Sequence, residues 1–186
     1  MKQALLGLLI LLSVGSYGQN KRIKIKPTPD EIEFIRSIFF GSMSSKPDET
    51  FQYQSKIRSF SLSQNIKFFA RDTIITSYRN RKATKPEPIL ILTSEEKRHI
   101  KSQLQMQDSL MWGVRIIPKE KRLSLAKHGS ETLFTISKPV FLRNNSICIF
   151  EYSYECGSRC GYGKSAVYQR VEGKWQTLMI VYEWHS

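Results

Sequence analysis

Apolar positions along this chain follow three different rhythms, and each predicts a different kind of segment. The first is unbroken. Ala4 to Leu12 is aliphatic apart from Gly7, follows Lys2, and is succeeded by Ser16-Tyr17-Gly18, with small residues three and one before a cleavage point. A run this short cannot span a bilayer, so residues 1–18 are expected to be a cleavable export signal and the mature chain to start at Gln19. No cysteine stands at that junction to carry a lipid, so the product is expected to be released. Residues 19–27 read as a flexible polar lead-in.

The second rhythm is helical. Thr28-Pro29-Asp30-Glu31 is a helix start, with Thr28 as cap, proline where its missing N–H costs nothing, and Glu31 placed to return a hydrogen bond. Ile32, Ile35, Phe39 and Met43 follow at helical spacing, up to the breakers Gly41 to Pro47. Thr93-Ser94-Glu95-Glu96 repeats the capping logic and opens a second helix expected to carry Ile100, Leu104 and Met111 inward.

The third rhythm is extended. Phe60 to Tyr78 reads as extended, on the alternation Ile66-Lys67-Phe68 and the β-branched run at Asp72–Thr76; a charged loop over Arg79–Pro88 leads to a short buried strand at Ile89–Leu92. The C-terminal third is the clearest part. From Ser146 to Cys156, Cys148, Phe150, Tyr152, Tyr154 and Cys156 share one face, while Ile147, Ile149, Glu151, Ser153 and Glu155 share the other. A glycine-rich connection, a returning strand over Ser165–Val171, a turn at Glu172-Gly173 and a last strand over Trp175–Trp184 complete a meander. Helices and strands are segregated, so the expected fold class is α+β: two helices packed on an antiparallel sheet that ends in a three-stranded C-terminal meander, as a single domain over residues 28–186.

Composition adds a basic bias. The 186 residues are 40% hydrophobic and 24% charged, enough apolar material for a core. The formal net charge is +13, of which Lys2 leaves with the signal. Such a surface favours polyanionic neighbours, but the cations are scattered over four clusters: 21–26, 79–85, 97–101 and 119–122. Lys97-Arg98-Lys101 reads as the polar face of the second helix. No nucleic-acid-binding motif accompanies the charge.

Three cysteines are constrained by strand geometry. Cys148 and Cys156 share a face but lie roughly 26 Å apart along a regular strand. Cys156 and Cys160 flank a three-residue loop, within disulfide reach, and an oxidising compartment would close them. Two free thiols, or a redox or metal role, are the alternatives. A zinc site would need two further ligands, and His99, His128 and His185 lack finger-like spacing. Cys148 is the odd thiol. As a nucleophile it would need His128 or His185; its plainer reading is a small buried hydrophobe. Glu151 and Glu155 are a carboxylate pair on the face opposite the aromatics, explained equally by acid–base work or by a solvent face. Tyr152, Tyr154, Tyr162 and Trp184 are candidate ligand-facing aromatics, with core packing as the alternative. No Walker loop, G-x-S-x-G, H-E-x-x-H or dinucleotide fingerprint is present, so no catalytic, cofactor or metal set is assigned.

The C-terminal half resembles an uncharacterised family of small exported proteins of Bacteroidetes-type bacteria. The likeness rests on Ile136-Ser137-Lys138-Pro139-Val140-Phe141, Cys156-Gly157-Ser158-Arg159-Cys160-Gly161-Tyr162-Gly163, Gly173-Lys174-Trp175 and Trp184-His185-Ser186, with the helix from Thr93 to Leu104 and Trp112 fitting the same pattern. It implies export and one compact domain, and brings no activity with it. The expectation is therefore a periplasmic or extracellular binding module, not membrane-spanning after processing, whose partner is a polyanionic envelope component or a glycan. A hydrolase with a site invisible in the sequence, or a structural envelope component, are the competing classes.

Overall fold

The computed structural model describes residues 22–43, 50–57, 62–75, 88–117, 121–126, 133–156 and 160–186. The export signal 1–18, the loop residues 79–87, His128 and residues 157–159 lie outside the described residues. What is described is an α+β fold with three α-helices and a large sheet.

The first helix, α1 (Pro29–Ser37), starts as its sequence dictates: the Thr28 hydroxyl accepts from the Glu31 N–H, and the Glu31 carboxylate accepts from the Thr28 N–H. A π-helical turn at Ile38–Met43 continues it. The buried stripe is Phe34, Ile35, Ile38 and Phe39, rotated from the expected one, with Ile32 only half-buried. Glu31 is buried as well and pairs with Lys138 Nζ at 2.9 Å.

Residues Leu62–Phe69 form α2, where an extended segment was expected. The three-residue alternation Ile66-Lys67-Phe68 was too short to outweigh the helical spacing of Ile66, Phe69 and Ala70. The third helix, α3 (Ser94–Met106), has the anticipated capping box between Thr93 and Glu96 and buries Ile100 and Leu104. Met111, expected on that helix, stands instead on a strand, because the helix stops at Met106 and a 3-10 turn at Gln107–Ser109 redirects the chain.

The largest sheet has seven strands: β2 (Phe51–Tyr53), β6 (Leu123–Leu125), β7 (Leu133–Ile136), β8 (Val140–Leu142), β9 (Ile147–Glu155), β10 (Gly161–Val171) and β11 (Lys174–His185). Their order is β11-β10-β9-β7-β2-β6, and β8 also pairs with β9. It is mixed rather than antiparallel, since β2 runs parallel to both β6 and β7. β9 is antiparallel to β10, and β10 to β11 across the turn at Glu172 and Gly173, both with positive φ as a tight hairpin of this kind requires. β7 and β8 share one edge of β9, interrupted at Ser137-Lys138-Pro139, where the Ser137 hydroxyl accepts from the Glu151 N–H.

Two smaller pairings complete the fold. β1 (Ile23–Ile25), inside the lead-in expected to be flexible, pairs in parallel with β5 (Leu110–Trp112). β3 (Thr73–Ile75) pairs with β4 (Ile89–Ile91), which is half-exposed rather than buried: Leu90 is covered while Ile89 and Ile91 face outward.

The sheet is covered on both faces. Phe34 and Phe39 pack with Phe150, Tyr152, Tyr168 and Trp175 on one side. Phe69, Ile100 and Leu104 pack with Ile147, Ile149, Val167 and Met179 on the other. Seven consecutive residues of β9, Ile147 to Ser153, are accordingly buried. The expected solvent face of that strand does not exist over this stretch.

Candidate functional site

Helices α2 and α3 lie side by side over the Ile147 face of the sheet and leave a cavity of about 340 Å³ between them. That volume falls in the usual range for a small-ligand site. Its floor is hydrocarbon: Ile66 and Phe69 from α2, Ala70 in the turn that follows it, and Ile100 from α3, with Phe69 and Ile100 belonging to the buried core. Its α3 wall is Ser94, Lys97, Arg98 and Lys101, at i, i+3, i+4 and i+7, which is one face of a helix. Lys97 is ion-paired with Asp72, in the bend between α2 and β3. That pairing holds the Asp72 carboxyl below its ordinary range. The cluster expected to be a solvated helix face therefore lines a cavity. The alternation Ile66-Lys67-Phe68 hides the partner helix in the sequence; the signal for it is the spacing of Ile66, Phe69 and Ala70.

A second concentration of chemistry lies on the other face, near the start of β10. Tyr162 stands opposite Tyr154 and His185, and Lys164 opposite Tyr152 and Glu183. The Tyr162 hydroxyl donates to Glu183 Oε1 at 2.7 Å, and its ring lies 5.9 Å from those of Tyr152 and Tyr154 and 4.8 Å from that of His185. Burial pushes Tyr162 well above the ordinary phenol range and, less strongly, raises Tyr152. Burial lowers Lys164, with Glu183 working against the shift. Three of the four expected aromatics thus meet here, although Tyr152 is buried. Trp184 does not join them. It stands opposite Gly163, on the other side of the strand, and its indole occupies the space a Cβ at Gly161 would need, 2.9 Å away.

The cysteines fall as the strand parity required. Cys156 and Cys160 form a disulfide, with Cα atoms 5.1 Å apart. Cys148 is a free, buried thiol, and burial raises its pKa well above the usual value, which suppresses the thiolate a nucleophile needs. It stands opposite Tyr168, six residues along β10 from the Tyr162 that pairs with His185, or about 20 Å. His185 cannot reach it.

Glu151 is buried, and its Oε2 accepts from Asn65 Nδ2 at 2.6 Å, while Asn65 Oδ1 accepts from the Ser165 hydroxyl at 3.0 Å. Glu155 is exposed. The two carboxylates share a strand face but not an environment, so they are not an acid–base pair. His99 is exposed, near Phe141 and Glu95. Among the described residues no three His, Cys, Asp or Glu side chains group as a metal site would, and no helix is long and apolar enough to cross a membrane.

No family model, curated protein or solved structure matches this chain.

Proposed function

We propose that this protein is an exported, non-catalytic binding module acting at or outside the cell envelope, and that the cavity between α2 and α3 is its ligand site. The observation that carries the reading is the cavity itself: an apolar hollow reaching the core, walled on one side by cations. Supporting it, the groups that suggested chemistry are committed elsewhere. Cys148 is buried with a raised pKa, and Glu151 is tied to Asn65. Residues 1–18 act as the cleaved signal, and 28–186 form one domain, with the two packed helices and the β9–β10–β11 run as its scaffold. The Cys156–Cys160 disulfide fits an oxidising compartment. The likeness of the C-terminal half to small exported proteins belongs to the same proposal.

The partner is an anionic envelope component. Tyr154 and Tyr162, both partly exposed beside Lys164, are where a sugar of a larger envelope molecule would stack. Titrating the mature protein against lipopolysaccharide at increasing salt tests the reading. Saturable binding that weakens between low and physiological salt supports it. No binding, together with turnover on an ester or peptide panel, would replace the binding module with an enzyme.

A further inference from the structure

The chemistry of the cavity narrows its occupant. Resting on the binding-module reading, we infer that the α2–α3 cavity takes a single-chain anionic amphiphile of the fatty-acid type, its alkyl chain against Ile66, Phe69, Ala70 and Ile100 and its head group at Arg98 and Lys101.

Three observations converge on that class. The floor is hydrocarbon on both helices, so it rewards an alkyl chain; a peptide or sugar would bury hydrogen-bonding groups against carbon without partners. Among the described residues the lining carries three cations, Lys97, Arg98 and Lys101, and no carboxylate; Asp72, outside the lining, is already engaged by Lys97. Arg98 and Lys101 are exposed on successive turns of α3 and form no ion pair with the described residues, so both are available to one anionic head group. A polyanion alone would satisfy the cations and leave the hollow unfilled, whereas a neutral lipid would fill the hollow and ignore the cations. One head and one tail satisfy both.

The test uses the delipidated mature protein and the fluorescent probe 11-(dansylamino)undecanoate, whose emission rises on entering an apolar site, displaced by dodecanoate or by dodecanol. The wild type is expected to bind one probe per chain, with dodecanoate displacing it better than dodecanol. Ala70→Trp fills the cavity from an exposed position and should abolish binding while leaving the melting temperature within a few degrees. The double variant Arg98→Glu with Lys101→Glu should weaken dodecanoate by about tenfold at low salt, leave dodecanol unchanged, and lose the difference at high salt. Undiminished binding to Ala70→Trp would overturn the site. Equal affinity for acid and alcohol, or indifference to charge reversal, would overturn the anionic head group. If wild type binds no alkyl chain but still binds lipopolysaccharide in a salt-dependent way, this inference fails while the binding-module reading stands; loss of both removes the reading itself.

Discussion

Asn65, in the middle of α2, hands its side-chain amide to Glu151, in the middle of β9, at 2.6 Å, and takes the Ser165 hydroxyl from β10 in return. This buried contact fixes the rotation of α2 over the sheet, and with it the side of α2 that faces α3. Glu151 is held from the backbone side as well, through Ser137. The position of the cavity thus depends on a polar contact made on the opposite side of the helix pair from solvent.

Replacing Asn65 with Leu keeps its branched side-chain skeleton and removes both hydrogen bonds, so unfolding in urea should show a loss of about 2–3 kcal/mol. Asn65→Asp should be worse at pH 7, because it sets a second carboxyl beside Glu151. That carboxyl has a raised folded pKa, so the missing stability is present at low pH and lost as pH rises. Stability of Asn65→Asp that is flat between pH 5 and 8 would contradict the contact.

The cysteine assignment has a direct chemical readout. Labelling the non-reduced, denatured protein should modify Cys148 alone, and reduction should add two more sites. Substituting Ser for both Cys156 and Cys160 should cost about 2 kcal/mol, since the closed loop is short. Three labelled thiols without reductant would show that the bridge does not form in solution.

Glu96 caps α3 and also meets Arg143 at 2.8 Å, tying the helix start to the turn after β8. The hydrogen bond from Arg143 is the main cause holding the Glu96 carboxyl below its ordinary value of 4.5. A depressed folded pKa gives stability that is complete above the unfolded value and lost as pH falls through the folded one. Arg143→Gln should therefore lower stability by up to about 1 kcal/mol at pH 7, with the gap to wild type closing below about pH 4. A gap that persists at pH 3 would assign the effect to the hydrogen bond that Arg143 also donates to the Ile91 carbonyl, which does not titrate.

What could be read from the sequence was local. Thr28 with Glu31, and Thr93 with Glu96, announced both helix starts because a capping box is completed within four residues. The Cys156–Cys160 bridge followed from strand parity across a short loop. What could not be read was set by contacts distant in the chain. Glu151 and Ser153 alternate as a solvent face would, yet both are buried, Glu151 against Asn65 of α2, and no local pattern reports a second layer. β2 joins the sheet in parallel from a segment far from its partners β6 and β7, which local alternation cannot express. Ile23–Ile25 looked like an unordered lead-in because its partner, Leu110–Trp112, lies over eighty residues away. The cavity is not legible in either helix alone, since it exists only where α2 meets the cationic stripe of α3.

Native mass spectrometry of the mature protein taken from its own host's envelope under non-denaturing conditions, beside Ala70→Trp prepared in the same way, tests the amphiphile site most directly. The expected result is a mature chain beginning at Gln19 that carries one small amphiphile, released on gentle activation and absent from Ala70→Trp. A wild-type chain that carries no such molecule, or an adduct that survives the filled cavity, would contradict it.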